Sequence, residues 1–429
     1  MNILWLTNSP CSSIERTGGK TILGGWLSSL EKEVLKHSDI TLSIAYLSNI
    51  KEPPYNYNNV IYYPIYLGSS LRNNKAKKLI ESRQTIKQKE QRAIPQILEA
   101  IEKCKPDLIH IHGTEELWGK ITQYVSKIPI VFSIQGLLAP IKEKYFIGLS
   151  KKSVRKFDSF VDKLVKNDVN NLYQSFIYRA ARENGYLRYA EYIFGRTQWD
   201  SNCTLALNPA RKYYLVNELL RDPFYNYKWH SHFCNNSKIR IVSTISGGTY
   251  KGFETALHTA HILQTYSKID FEWHIVGYNK DSKWCKAAEL EKRLKVSDYP
   301  FVFHGRLDAD SLAQLLSESD IYVQVSHIEN SPNSVCEAML VGVPTIASFA
   351  GGTSSILKDG EEGILVQDGD PYVLAGSIVH LVQNPDLAMF YSNNAKCRAL
   401  QRHNPENVYK ELLSGYTSIL SSYNSNDNR

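Results

Sequence analysis

No run of residues in this chain is long and apolar enough to span a bilayer, which argues against a helical membrane protein. Paired cysteines are missing as well. Cys11, Cys104, Cys203, Cys234, Cys285, Cys336 and Cys397 are scattered, odd in number and never spaced C-x-x-C, so they read as reduced thiols with no zinc site. A secretory leader is not indicated either, because the apolar opening Met1–Thr7 is short, lacks a basic start and runs at once into Asn8-Ser9-Pro10. These absences predict a cytoplasmic protein, peripheral on the inner face of a membrane where it meets one. There is no repeat shorter than a domain. No nucleic-acid recognition module is present, so nucleic acid is not an expected partner.

The 429 residues exceed what one core supports and fit two domains, and 43% hydrophobic with 22% charged residues describes a folded chain. The net charge of +7 is modest but unevenly spread. Arg72, Lys75, Lys77, Lys78, Arg83, Lys87, Lys89 and Arg92 form one basic stretch. Lys142, Lys144, Lys151, Lys152, Arg155, Lys156, Lys163 and Lys166 form a second, interleaved with Tyr145, Phe146, Phe157 and Phe160. Such stretches are solvated helix faces or, with aromatic interleaving, a surface for anionic lipid.

The first half alternates apolar runs with helical patterns, as an open parallel sheet requires. Strands are expected at Ile3–Leu6, Ile40–Leu47, Val60–Tyr63, Leu108–His112 and Ile130–Ile134. Gly24 and Gly25 precede a helix with Trp26, Leu27, Leu30 and Val34 on one face, where paired glycines allow close approach of a ligand or simply make a flexible turn. His110 and His112 share one face at a strand end, where ligands of such sheets gather, and a buried, hydrogen-bonded histidine is the alternative. Without a third ligand nearby they make no metal site. Gln135 closes the next strand, and Arg196 follows the run Ala190–Gly195, facing a cleft or paired with Asp200 or Glu191.

A stretch of little periodicity, 208–238, reads as a hinge between a domain over 1–207 and another over 239–403, with 404–429 forming a closing helix and tail. In the second alternation, the strand Ile239–Ile245 runs into Ser246-Gly247-Gly248-Thr249-Tyr250-Lys251-Gly252 and a helix. A glycine-rich strand-to-helix turn ending in lysine suits a phosphate, although the spacing is not a Walker loop. Asp308 and Asp310, like Asp368 and Asp370, are read as helix caps and not as metal ligands. Glu329 and Glu337 then bracket a polar turn, Ser331-Pro332-Asn333-Ser334, that begins a helix whose free N–H groups suit a diphosphate or oxyanion. A helix-start carboxylate and a salt-bridged one are the plain alternative.

The Glu329–Glu337 spacing, the Gly342-Val-Pro344 turn after it, the lysine loop and the Gly351-Gly352 pair resemble, in the same order, the motifs of family-four retaining glycosyltransferases with the GT-B fold. The resemblance spans nearly the whole chain and is densest from Ile239 to Val366. It implies an α/β fold of two facing Rossmann-like domains, with the C-terminal helix crossing back to the first. It further implies a nucleoside-diphosphate sugar as co-substrate, with Lys251 on the diphosphate, Glu329 on the donor sugar and Glu337 on the ribose. Gly24, Gly25, Gly247, Gly248, Ser331, Pro332, Asn333, Ser334, Gly351 and Gly352 would supply donor contacts. His110, His112, Gln135 and Arg196 would line the acceptor side. Neither a metal nor a resident cofactor is implied, and the acceptor would be a glycan or a lipid-linked group of bacterial surface polysaccharide. Two departures stand out: Gln135 replaces a frequent histidine, and the arginine usual before the lysine is serine or glycine here. A nucleotide-sugar epimerase of the same architecture and a non-catalytic binding module are the alternatives.

Overall fold

Strand β1 (Asn2–Thr7) carries apolar side chains on both faces, since Ile3 and Trp5 enter one core cluster while Leu4 and Leu6 enter another. That is how a parallel strand covered on both sides reads. The computed structural model describes residues 1–18, 25–68, 86–230 and 238–427. Gly24 and the basic residues Arg72, Lys75, Lys77, Lys78 and Arg83 lie outside them.

Further strands in the first half are β2 (Thr41–Ser48), β3 (Tyr55–Tyr57), β4 (Val60–Tyr66), β5 (Leu108–His112), β6 (Ile130–Ser133), β7 (Tyr192–Gly195) and β8 (Lys212–Leu215). The second half supplies β9 (Ile239–Thr244), β10 (Phe271–Val276), β11 (Phe301–Gly305), β12 (Ile321–Gln324), β13 (Thr345–Ser348) and β14 (Ile364–Val366). They form two sheets, ordered β3-β4-β2-β1-β5-β6-β7-β8 and β11-β10-β9-β12-β13-β14. Among the described residues, every pairing is parallel except that of β3 with β4. In the second sheet this is the doubly wound Rossmann order, and the first sheet repeats it with additional outer strands. Strand order therefore reverses between β1 and β5, and again between β9 and β12. In open sheets of this kind, ligands bind beyond the carboxyl ends of the strands at such reversals.

The helices around the site are α1 (Gly25–Val34), α2 (Val169–Leu187), α3 (Phe253–Ile262), α4 (Asn333–Val341) and α5 (Pro405–Asp427). Helix α5 crosses back as expected, burying Val408, Tyr409, Leu412, Tyr416 and Ile419 in the first-domain cluster that holds Ile3, Trp5 and Trp26. Full burial of such side chains contributes about 1.5–3 kcal/mol each.

Two stretches depart from the expected division. The hinge at 208–238 is not structureless: β8 within it adds the outer strand of the first sheet, and Pro223–Asn226 is helical. Part of the long basic segment after β6 also packs away from its own domain, with Leu149, Val154 and Val169 in the core of the second. Leu149 N–H donates to Thr249 O at 3.2 Å, and Lys283 pairs with Asp158 at 3.0 Å. The segment thus forms a strap from the first domain over the lysine loop of the second.

Tyr416 ties α5 to the sheet. Its hydroxyl accepts from Trp5 Nε1 at 2.9 Å, so its one proton goes to His110 Nδ1 at 2.5 Å. Tyr416→Phe keeps the packing but strands the Trp5 N–H and the His110 nitrogen in the core. A loss of about 1–3 kcal/mol in urea unfolding is expected; an unchanged midpoint would show that this bridge does not secure the helix.

Candidate functional site

The loops leaving β9 and β12 meet at the switch point of the second sheet, and they bring Lys251 to Glu329. The ammonium lies 2.6 Å from Glu329 Oε1, with both side chains about one-fifth exposed. Burial opposes the charge on Lys251, but the attraction of Glu329 overcomes it and raises the lysine above its ordinary value. The sequence explains the loop's tightness. Gly252 has φ +80°, and a Cβ there would sit 1.8 Å from Val325 O, so only glycine lets the lysine loop close on the end of β12. Gly247 lies under the Trp284 indole and Gly248 beside the Lys251 stem.

Helix α4 begins beside this pair with Pro332 as its N-cap and no side chain capping it. The N–H groups of Val335 and Cys336 bond to Pro332 O, while among the described residues those of Asn333 and Ser334 find no partner. That leaves an open helix N-terminus suited to an anion. Gly351 and Gly352 support the loop from behind. A Cβ on Gly351 would meet Glu329 O at 1.9 Å, one on Gly352 would meet Asn330 O at 2.2 Å, and Gly352 N–H donates to Glu329 O at 3.0 Å. The pair is therefore packed against protein backbone and positions Glu329. Glu337, on α4, is buried, and Arg221 from the hinge holds its Oε1 through Nε at 2.9 Å and Nη2 at 2.8 Å. Burial raises the Glu337 pKa against the pull of Arg221. The Arg221 stem passes over Gly25, where a Cβ would lie 2.8 Å away.

Several acceptor-side expectations need correction. Arg196 does not project into a cleft. It is 6% exposed, pairs with Glu218 Oε2 at 3.3 Å and stacks on Trp26 at 4.3 Å, while Asp200 receives only its backbone N–H. His110 is a core residue held between Tyr416 and Ser133 Oγ, the latter at 2.6 Å. His112 is equally buried against Trp5 and Trp26, and both of its ring nitrogens lack a partner among the described residues. Burial, with Arg196 nearby, lowers both histidines, so they are neutral. Gln135 is half-buried at the domain boundary, where its carbonyl faces Asn330 Nδ2 at 3.5 Å. Asp308 and Asp370 cap helices as read, but Asp368 instead faces His327 Nδ1 at 3.3 Å and Lys144 at 3.6 Å.

Sequence reasoning missed the residues that join the domains. Glu218, wholly buried in the hinge, accepts from Ser331 Oγ at 2.7 Å and faces Arg196, Arg402 at 3.8 Å and Cys336. Burial would raise its pKa, but the two guanidiniums, His403 and the Ser331 hydroxyl outweigh that and hold it at about 2. Although Glu218, Cys336 and His403 converge, the adjacent guanidiniums make the cluster a poor cation site. His327 lies buried between Glu254 at 2.6 Å and Asp368; burial disfavours its charge, but these carboxylates raise its pKa. In the first domain, Leu138 N–H donates to Glu183 at 2.6 Å, and burial pushes that carboxyl up to about 7. No local pattern announces these groups, because each meets partners far along the chain.

Residues 237–384, which contain the Lys251–Glu329 pair and α4, match the family model described as "Glycosyl transferases group 1". That match lies within the second domain and covers less than half of the chain. N-acetyl-alpha-D-glucosaminyl L-malate synthase of Bacillus anthracis is 25% identical over 39% of this chain and 44% of its own length. The capsular polysaccharide biosynthesis glycosyltransferase CapM of Staphylococcus aureus is 25% identical over 34% of this chain and 39% of its own. The chain thus spans less than half the length of these curated relatives. Two solved structures align over almost the whole chain. Sucrose-phosphate synthase from Thermosynechococcus elongatus superposes with TM-score 0.71 at 15% identity, covering 98% of this chain and 100% of that one. Anabaena Alr3699/HepE, solved with UDP and glucose, gives 0.62 at 16%, covering 97% and 100%. The fold of this chain is the GT-B arrangement of two facing Rossmann-like domains.

The Glu218 cluster makes a pH-dependent prediction. Its folded pKa of about 2 lies below the ordinary 4.5, so its contribution is complete above about 4.5 and is lost as pH falls toward 2. Glu218→Gln is expected to cost about 3–5 kcal/mol at neutral pH, and the gap to wild type should shrink as urea unfolding is repeated from pH 4.5 down to 3. A gap independent of pH would mean that the carboxylate charge is not what stabilises the hinge.

Proposed function

We propose that the protein is a metal-independent retaining glycosyltransferase that moves a sugar from a nucleoside-diphosphate donor to a glycan or lipid-linked acceptor in bacterial surface polysaccharide synthesis. The observation carrying this reading is the Lys251–Glu329 pair, 2.6 Å apart beside the uncapped start of α4. Each partner stands where a donor group would replace the other. The diphosphate takes the ammonium and the Asn333 and Ser334 N–H groups, releasing Glu329 to accept from sugar hydroxyls. Arg221 occupies Oε1 of Glu337, leaving Oε2 for a ribose hydroxyl. A neighbour of the same fold solved with UDP and glucose supports a uridine nucleotide as the first probe.

In the reaction, the bond from the anomeric carbon to phosphate breaks, and the acceptor oxygen bonds that carbon on the same face. The leaving phosphate oxygen takes the acceptor proton. Lysine and peptide dipoles fixed at the strand ends stabilise the charge on the diphosphate without reorganising, and their charge makes a metal unnecessary in this reading. Gln135 has no titrating proton and can only orient the acceptor.

A specific observation favours an anionic membrane surface as partner. Lys151, Lys152, Arg155 and Lys156 line one outward concavity of about 590 Å³ on the strap, and among the described residues none of them pairs with a carboxylate within 4.0 Å. Phe160 (79% exposed), Val161 and Leu164 follow on the same segment. No described helix is long and apolar enough to cross a membrane.

Lys251→Ala is expected to lower transfer from the best nucleotide sugar at least about a hundredfold and to remove its thermal stabilisation, with the unliganded melting point little changed. Unaltered turnover would remove Lys251 from the site; free sugar isomer formed from donor alone would favour the epimerase. Replacing Lys151, Lys152, Arg155 and Lys156 by glutamate should abolish flotation with anionic vesicles at 0.1 M salt, whereas retained flotation would locate any membrane contact elsewhere.

A further inference from the structure

Three consecutive residues after β12 reach into three different parts of the molecule. Glu329 pairs with Lys251 in its own domain, and Ser331 donates to Glu218 in the hinge. Asn330, between them, crosses to the first domain. Its Oδ1 accepts from Thr197 Oγ1 at 2.7 Å, and its Nδ2 points to Ile134 O at 3.4 Å and Gln135 O at 3.5 Å.

The bridge is specific in both chemistry and place. Thr197 Oγ1 already accepts from Asp200 N–H at 3.1 Å as the cap of the helix Gln198–Leu207, so its proton is available to Asn330. Only an amide offers an acceptor to that hydroxyl and donors to the two carbonyls at once. Asn330 is 4% exposed, so these bonds are shielded from water. Nor can its backbone drift, because Gly352 is close enough that an added Cβ would lie 2.2 Å from Asn330 O and 2.7 Å from Thr197 Oγ1. Ile134 and Thr197 stand just beyond the carboxyl ends of β6 and β7, the cleft edge of the first domain.

We infer that Asn330 is a positioning residue that makes the placement of Glu329, and hence turnover, conditional on closure of the two domains. Part of this inference, the link to turnover, rests on the donor role proposed above. A separated pair of domains lacks the Thr197 and Ile134 partners, which leaves the peptide carrying Glu329 held only from behind by Gly352; closure fixes it from the front as well, against the acceptor-side strands. The diphosphate contacts through Lys251 and α4 need no such bridge, so its loss falls on the sugar held by Glu329 and hence mainly on the chemical step.

The test uses the full chain with UDP-glucose as probe. Asn330→Ala and Thr197→Val should each reduce kcat for donor turnover about a hundredfold while KM stays within about threefold. The double variant should lose no more than either single one, and Thr197→Ser, which keeps the hydroxyl, should return kcat to near the wild-type value. Wild-type kcat in Asn330→Ala, losses that multiply in the double variant, or failure of the serine variant would overturn the inference. If the wild-type chain turns over no nucleotide sugar, the proposed function fails, and hydrogen exchange decides the bridge separately. Asn330→Ala should then speed exchange together in residues 326–334 and 134–137; unchanged exchange at 134–137 would overturn it.

Discussion

A carboxylate with no access to water holds the two halves of this molecule in register. Glu218 is fully buried, and the cost of removing its charge from solvent is offset only because Arg196 of the first domain, Ser331 of the second and Arg402 just before α5 all turn toward it. If any of these withdraws, the charge is left uncompensated in the interior. The arrangement therefore favours the closed placement of the domains, in which the strand ends of the first meet the loop that carries Glu329. The same logic recurs at smaller scale where His327 sits between Glu254 and Asp368 beneath the strap.

The chemistry follows from topology. Parallel strands release their loops at one end, and strand order reverses between β9 and β12, so the loops that carry Lys251 and Glu329 leave neighbouring strands at that reversal and meet beyond it. Glycine lets the backbones come close enough for the pair to form, at Gly252 against Val325 and at Gly351 against Glu329. Opposite charges then hold each other in the geometry that a diphosphate and a sugar would divide. The strap adds a lid of first-domain sequence over that loop, anchored through Leu149 and Asp158.

How much of this was legible in the sequence depended on the range of the interaction. Apolar runs such as Ile239–Thr244 and the glycine-lysine turn after it are local patterns, and they appear at the expected places with strand boundaries shifted by a residue or two. Helix α4 was readable for the same reason, whereas the crossing of α5 was implied by the family resemblance alone. Glu218 was not, because it meets Ser331 across 113 positions and lies in a stretch without periodicity. Arg196 stayed open between a cleft role and an ion pair with Asp200 or Glu191, because its actual partner, Glu218, lies in that same stretch. Strand β8 escaped notice because it is only four residues long, with Lys212 and Leu215 exposed and Tyr213 and Tyr214 half-buried, so no burial pattern marks it. The two histidines of β5 illustrate a further limit: spacing put them on one face, but only packing reveals that the face is interior.

The central claim is that the Lys251–Glu329 pair occupies the place of a nucleotide-sugar donor. A crystal structure of the chain soaked with UDP-glucose tests it most directly. The account predicts the diphosphate within hydrogen-bond reach of Lys251 Nζ and of the Asn333 and Ser334 N–H groups, with Glu329 turned from the lysine onto the sugar hydroxyls. A nucleotide bound elsewhere, with the 2.6 Å pair intact, would contradict it.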